Sequence, residues 1–231
     1  MNTKKLTGTS EAVYQKLKEQ ILYLELPPGS AISEIDTAAR YETSRTPVRD
    51  AFKMLASEGL LEIRPHIGTF VSLIDLNMIS DILYIRETLE QAVLRDLISS
   101  YDKSQEFRVR FILQKQRELV DADLDADELA RQFIISDNEF HVTLYEMAGK
   151  KNVMSFLKSI NSEYERFRTF LNLGERRNLM RLYEDHNAIL EYISNRDYDR
   201  LSDTITHHIY DFFNASTEIV YKHPEYFQPI K

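Results

Sequence analysis

The sequence predicts a mainly α protein in two parts, and three observations carry that prediction. Residues 10–71 read as three short helices followed by a two-stranded hairpin. Residues 77–222 read as long helical stretches with no alternating strand signal. Between them, Ser72 to Asn77 follows neither pattern and is expected to be a linker.

The first helix begins at Ser10, is apolar at Val13, Leu17, Ile21 and Leu24, and stops at Pro27-Pro28-Gly29. Ser33 and Glu34 open a second, which runs to Tyr41. The third opens at Ser44-Arg45-Thr46-Pro47-Val48-Arg49. Ser44 or Thr46 can cap it, and a proline in the first turn gives up only an N–H that had no partner. Arg45, Arg49 and Lys53 recur at i, i+4, i+8 as one basic stripe, whereas Val48, Phe52 and Leu55 fall on another face as core. Gly59 ends this helix. Leu60 to Arg64 is a strand, Pro65-His66-Ile67-Gly68 a turn, and Thr69 to Ser72 a returning strand.

Three helices followed by a hairpin is the order of a winged helix-turn-helix, here residues 1–72, with the third helix as the element that enters a major groove. Its arginines can reach guanine edges or phosphates, although a basic stripe alone is equally what a solvated surface helix shows. The turn that holds His66 and Gly68 is the wing tip, and a glycine there lets backbone approach a narrow groove closely. Ser44, Arg45, Thr46, Arg49, Lys53, His66 and Gly68 are the candidate DNA-contacting residues.

These motifs resemble the GntR family of bacterial transcription regulators. Pro27-Pro28-Gly29, Ser44 to Arg49, Glu58-Gly59-Leu60-Leu61 and Gly68-Thr-Phe-Val71 stand in the family's order and spacing. Three departures concern the contact set: Glu42 stands where the family usually has glycine, and Ile35 and Ile67 stand where it often has basic residues.

Composition agrees with a soluble, cytoplasmic regulator. There are no cysteines, which excludes a disulfide framework and thiolate metal sites. No uninterrupted apolar run passes four residues, which excludes a membrane-spanning helix, and no signal-peptide core is expected. The formal net charge of −8 is unevenly divided. Residues 1–75 carry nine Lys/Arg against ten Asp/Glu, and the remainder twenty against twenty-seven. A near-neutral reading head implies modest affinity for DNA and reliance on two heads binding together, hence a homodimer on a pseudo-palindromic double-stranded operator.

Residues 78–231 are expected to form an all-helical domain, with 73–77 as the linker. The helical pattern divides into about 77–100, 103–121, 126–148, 152–171, 176–195 and 198–222. The acidic run Asp121 to Asp127 reads as a solvated loop leading into a helix N-terminus, because it lacks the glycine and distal glutamate of a calcium loop.

The histidines of this domain carry its chemistry. Asp137 and His141 are i, i+4 on one helix and share a face. His186 and His208 flank a tight turn near residue 196 at roughly 15 and 18 Å along their helices, hence nearly level. Together they make a three-histidine, one-carboxylate set suited to Zn²⁺, with Ni²⁺, Mn²⁺ or Fe²⁺ as alternatives. His207 competes as a ligand, and a lone helical histidine is more often a surface residue.

Asp137-x-x-x-His141, Leu144, Ala148-Gly149 and the span from His186 to His208 resemble the metal-binding form of the FCD domain, the helical effector domain of one GntR branch. Tyr192 departs from it, standing where alanine is frequent. The resemblance implies that His208 is the ligand and His207 points elsewhere. It also implies a small organic acid as effector, its carboxylate completing the metal's coordination. Arg86, in Tyr84-Ile-Arg86-Glu-Thr-Leu-Glu90, is the matching anion clamp; the alternative for it is a salt bridge to Glu90. The expected function is a ligand-responsive DNA-binding regulator, not an enzyme. A regulator that senses the ion itself is the alternative. A metal-dependent hydrolase using Glu139 or Glu184 as base would leave the winged helix unexplained.

Overall fold

The computed structural model describes residues 8–172, 176–215 and 217–229. Two compact units divide them. One runs to Leu76 and takes in the segment from Lys222 onward, and the other spans Asn77–Tyr221.

In the first unit, α1 (Gly8–Leu22), α2 (Glu34–Arg40) and α3 (Arg45–Ser57) surround a core of Val13, Leu17, Ile21, Val48, Phe52, Leu55 and Leu60. Ser33 caps α2, its hydroxyl accepting from the N–H groups of Ile35 and Asp36. Ser44 occupies the N-cap position of α3 in extended backbone but makes no side-chain cap bond there. The turn between α2 and α3 sends Glu42 to φ +50°, the left-handed region that glycine adopts most readily.

The hairpin pairs β2 (Leu61–Arg64) with β3 (Gly68–Val71), Arg64 opposite Gly68, and His66 takes φ +63° at its tip. A third strand not anticipated from the sequence, β1 (Ala31–Ile32), adds to the other edge of β3, giving the order β1-β3-β2. Two residues are too few to show an alternating pattern.

The second unit comprises α4 (Leu76–Ser100, its first residue in the other unit), α5 (Glu106–Asp121), α6 (Ala126–Met147), α7 (Lys151–Ile160), α8 (Ser162–Asn172), α9 (Arg176–Asn195), α10 (Tyr198–Ala215) and α11 (Thr217–Lys222, its last residue in the other unit). Helix α6 packs against α5, α7, α8 and α9, and α9 packs on α10. Asp125 caps α6, as a solvated acidic run leading into a helix requires. The stretch expected as one helix over 152–171 is two. Asn161 ends α7 at its C-cap, and its carbonyl then accepts from Glu165 to start α8.

The expected linker is anchored. Ser72 N–H donates to Leu60 O at 3.1 Å, Ile74 N–H donates to Tyr226 O at 2.9 Å, and Ile74 is fully buried. The segment from Lys222 onward, expected within the helical domain, instead clusters with the first unit.

Candidate functional site

Four buried side chains converge inside the helical unit: Asp137 and His141 from α6, His186 from α9 and His208 from α10. One donor atom from each lies within 4.8 Å of every other. One helical turn separates Asp137 from His141, which puts both on the inner face of α6. The tight turn through Arg196 (φ +58°) folds α10 back on α9, and the rings of His186 and His208 come to 4.9 Å between centroids. His207 lies outside, its side chain 77% exposed beside Asp211.

Each imidazole is held through Nδ1. His141 faces Glu90 Oε2 at 3.0 Å, His186 faces Gln116 Oε1 at 2.8 Å, and His208 faces Asp185 Oδ2 at 3.3 Å. These oxygens accept, so Nδ1 carries the proton in all three rings, and Nε2 of a neutral ring is left with its lone pair. The lone pairs then meet: His141 Nε2 is 3.3 Å from His208 Nε2, and His186 Nε2 is 3.4 Å from Asp137 Oδ1 without hydrogen-bond alignment. Two facing lone pairs repel, and a proton or a metal ion between the donors relieves that repulsion. Three neutral nitrogens and one carboxylate oxygen are the donor set that Zn²⁺ takes in tetrahedral sites.

Electrostatics fit this assignment. Burial pushes the His186 ring down to about 4, so the ring is neutral at pH 7 and free to donate its lone pair. Burial raises the Asp137 carboxyl, but the Arg168 guanidinium outweighs it and holds Asp137 well below the usual carboxylate range. Burial likewise opposes ionisation of Glu90, yet His141 and Arg86 hold it at about 2.

Arg86 is buried on α4. Its Nη2 donates to Glu90 Oε1 at 2.9 Å, its guanidinium lies 4.6 Å over the Tyr164 ring, and its Nε has no hydrogen-bond partner among the described residues. The salt bridge named as the alternative is therefore present, and it links Arg86 through Glu90 to His141. Arg168 of α8, which donates to Asp137 and to Asn138 Oδ1, was not anticipated; nothing in its spacing signals it. Gln116 and Asp185 were also missed. Asp185 directly precedes His186, but adjacency on a helix does not reveal that it serves His208. Glu139 pairs at the surface with Lys115, and Glu184 is exposed, so neither stands as a base at the cluster.

Replacing Glu90 by glutamine should preserve volume but weaken the orientation of His141. A metal affinity lower by about 10- to 100-fold is expected in a chelator-competition titration. An unchanged affinity would remove Glu90 from the site.

On the first unit, Ser44, Arg45, Thr46, Arg49 and Lys53 of the α3 region are all exposed, as are His66 and Gly68 at the wing tip. Glu34 of α2 bridges two of them, with Arg45 Nη2 at 3.2 Å and Arg49 Nη2 at 3.0 Å. Exposed pairs of this kind are weak, so a phosphate or base edge can displace the carboxylate at little cost. Arg64, stacked over Phe70 at 4.7 Å on the hairpin, is a further exposed cation that the basic stripe did not include.

The family model described as bacterial regulatory proteins, gntR family, matches residues 9–71, and that described as FCD domain matches residues 81–211. An uncharacterized HTH-type transcriptional regulator in an unstable DNA locus of Streptomyces ambofaciens is 32% identical over 215 residues, which are 93% of this chain and 88% of that protein. The HTH-type transcriptional repressor RspR of Escherichia coli K12 is 27% identical over 220 residues, 94% and 93% of the two chains. Among solved structures, E. coli McbR/YncC shares the fold with a TM-score of 0.69 at 18% identity, covering 95% of this chain and 100% of that one.

Proposed function

This chain belongs to the GntR family of bacterial transcription regulators and carries an FCD domain, and from that premise we propose that a divalent ion and a small organic acid bound in its helical unit control its affinity for operator DNA. It is a regulator and not an enzyme. The observation that supports metal control is the set of three Nδ1-anchored imidazoles whose Nε2 atoms converge with Asp137. Zn²⁺ suits that set best. Bound there, it would supply a Lewis-acidic centre for a carboxylate oxygen, with Asp137, His141, His186 and His208 as its protein ligands.

Arg86 supports an anionic effector. Its buried Nε lacks a partner among the described residues, and a carboxylate can accept from it while Nη2 stays on Glu90. The protein works as a cytoplasmic homodimer that presents two α3 helices to a pseudo-palindromic operator. By analogy with RspR, it represses. Effector binding shifts the helical unit between two arrangements of different operator affinity.

A screen of hydroxy acids, sugar acids and dicarboxylates against metal-loaded protein tests this reading. At least one acid should raise stability by about 2.7 kcal/mol at a hundredfold excess over its Kd, and the same acid should change operator affinity. Arg86→Ala should abolish the response with metal content intact. The second reading, in which the ion alone is the signal, is favoured by the completeness of the four-donor set, which can close a tetrahedral shell by itself. It prevails if no acid acts while metal addition alone toggles DNA binding.

A further inference from the structure

The segment after α11 returns to the DNA-binding unit and pairs with the chain that leaves the wing. Residues 224–226 form a 3-10 turn, after which Phe227 makes a parallel bridge with Ile74. Ile74 N–H donates to Tyr226 O at 2.9 Å, and Gln228 N–H donates to Ile74 O at 2.9 Å. Both hydrogen-bonding groups of Ile74 are thus taken by this segment. Phe227 is 6% exposed and Ile74 fully buried, so both apolar side chains of the pairing lie out of water.

The segment also lies against other parts of the reading head. A Cβ on Gly29 would come within 3.9 Å of Glu225 O, and Gln228 lines one groove with Leu61, Ser72 and Leu73. Ile74 stands three residues beyond Val71, the end of β3. Val71 is itself tied to the turn before β1 through Gly29 N–H and through Ser30 O. What Phe227 clamps is therefore the trailing end of the wing hairpin. The chain crosses between the two units twice, at Leu76–Asn77 and at Tyr221–Lys222, and the second crossing descends through α11 from α10, which carries His208.

We propose that residues 223–228 are a strap seated in cis on the DNA-binding unit, which holds the base of the wing in its DNA-binding position and gives the helical unit a second covalent route to the reading head. A strand-like segment that satisfies both backbone groups of a buried linker residue is a form of β-augmentation, with the chain's own Phe227 as the side-chain anchor. Without it, the N–H and C=O of Ile74 lose their partners, and the linker base is freed. The wing must then be ordered anew each time DNA binds, at an entropic cost. The strap rests on the DNA-binding function and is independent of the metal proposal, since none of its residues belongs to the metal cluster.

The test uses the full chain, a Phe227→Ala variant, a conservative Phe227→Leu variant and a deletion of residues 223–231. Amide exchange at Ile74 should quicken by at least about tenfold in the deletion and in Phe227→Ala, and little in Phe227→Leu. Operator affinity should fall by about fivefold or more in the first two variants, with zinc content per chain unchanged. A synthetic peptide of residues 222–231, added to the deletion variant, should restore slow exchange at Ile74. If Ile74 exchanges equally fast with and without the segment, or if Phe227→Ala binds operator within about twofold of the full chain, the strap has no such role.

Discussion

His186→Ala should reduce bound divalent metal from about one ion per chain to a small fraction of that, because a site built on four protein ligands loses most of its affinity when one is removed. His186 is fully buried, and its loss leaves His141 Nε2, His208 Nε2 and Asp137 converging on a space with no third nitrogen. His207→Ala is the control. With its side chain 77% exposed, it should retain the metal in elemental analysis of protein purified without chelators or a metal column. If His207→Ala loses the ion and His208→Ala keeps it, the ligand in α10 is misassigned.

Acid should act on the same site. His186 titrates near 6.5 in an unfolded chain and near 4 here. In chelated protein the unfolded state therefore takes up its proton first as pH falls. Stability should be unaffected above pH 6.5 and decline between 6.5 and 4, by at most about 3 kcal/mol. Metal binding steepens the loss, since protons then compete with the ion for the three rings. A urea titration at pH 7 and pH 5, with and without chelator, separates the two contributions.

On the reading head, Arg45→Ala and Arg49→Ala should each weaken specific operator binding by about 1–3 kcal/mol if they reach base edges, and by less with a shallower salt dependence if they reach phosphate only. Both side chains are more than half exposed and contribute nothing to the α3 core, so helix content and unfolding temperature should be unchanged. Both are also held by Glu34. Part of each loss therefore measures the release of that carboxylate toward DNA, and Glu34→Gln should raise non-specific affinity at low salt. Gly68→Val tests the wing separately. Its φ of +151° disfavours a β-branched residue, and operator affinity should drop. Wild-type binding by all of these variants in a gel-shift titration would place the DNA contacts elsewhere.

Much of the head was legible because local signals agree there. Ser33 and Glu34 mark the start of α2, and the Val48, Phe52, Leu55 spacing marks the buried face of α3. A left-handed turn residue announces itself when it is glycine. Glu42 holds that conformation without doing so, and only the motif comparison flagged the position. The two-residue β1 left no pattern, because its pairing with Phe70 and Thr69 of β3 is a long-range event. Asn161 broke a continuous helical pattern for a similar reason. Apolar periodicity runs through the break, and only the direction of the backbone hydrogen bonds separates α7 from α8.

By itself, the sequence determined the three helices and hairpin of the head, the helical character of the rest, the basic stripe, the family, and the four residues whose helical spacing could bring them to one level. Those are properties of residue type and short separation, which a 3.6-residue period and a tight turn convert into geometry. Only the tertiary structure decided what surrounds them. It brought Glu90 to His141, Gln116 to His186, Asp185 to His208 and Arg168 to Asp137, pairs that lie 51, 70, 23 and 31 residues apart. It also returned Phe227 to Ile74. Contacts across such separations depend on how whole helices pack and on where the chain doubles back, and no local period records them.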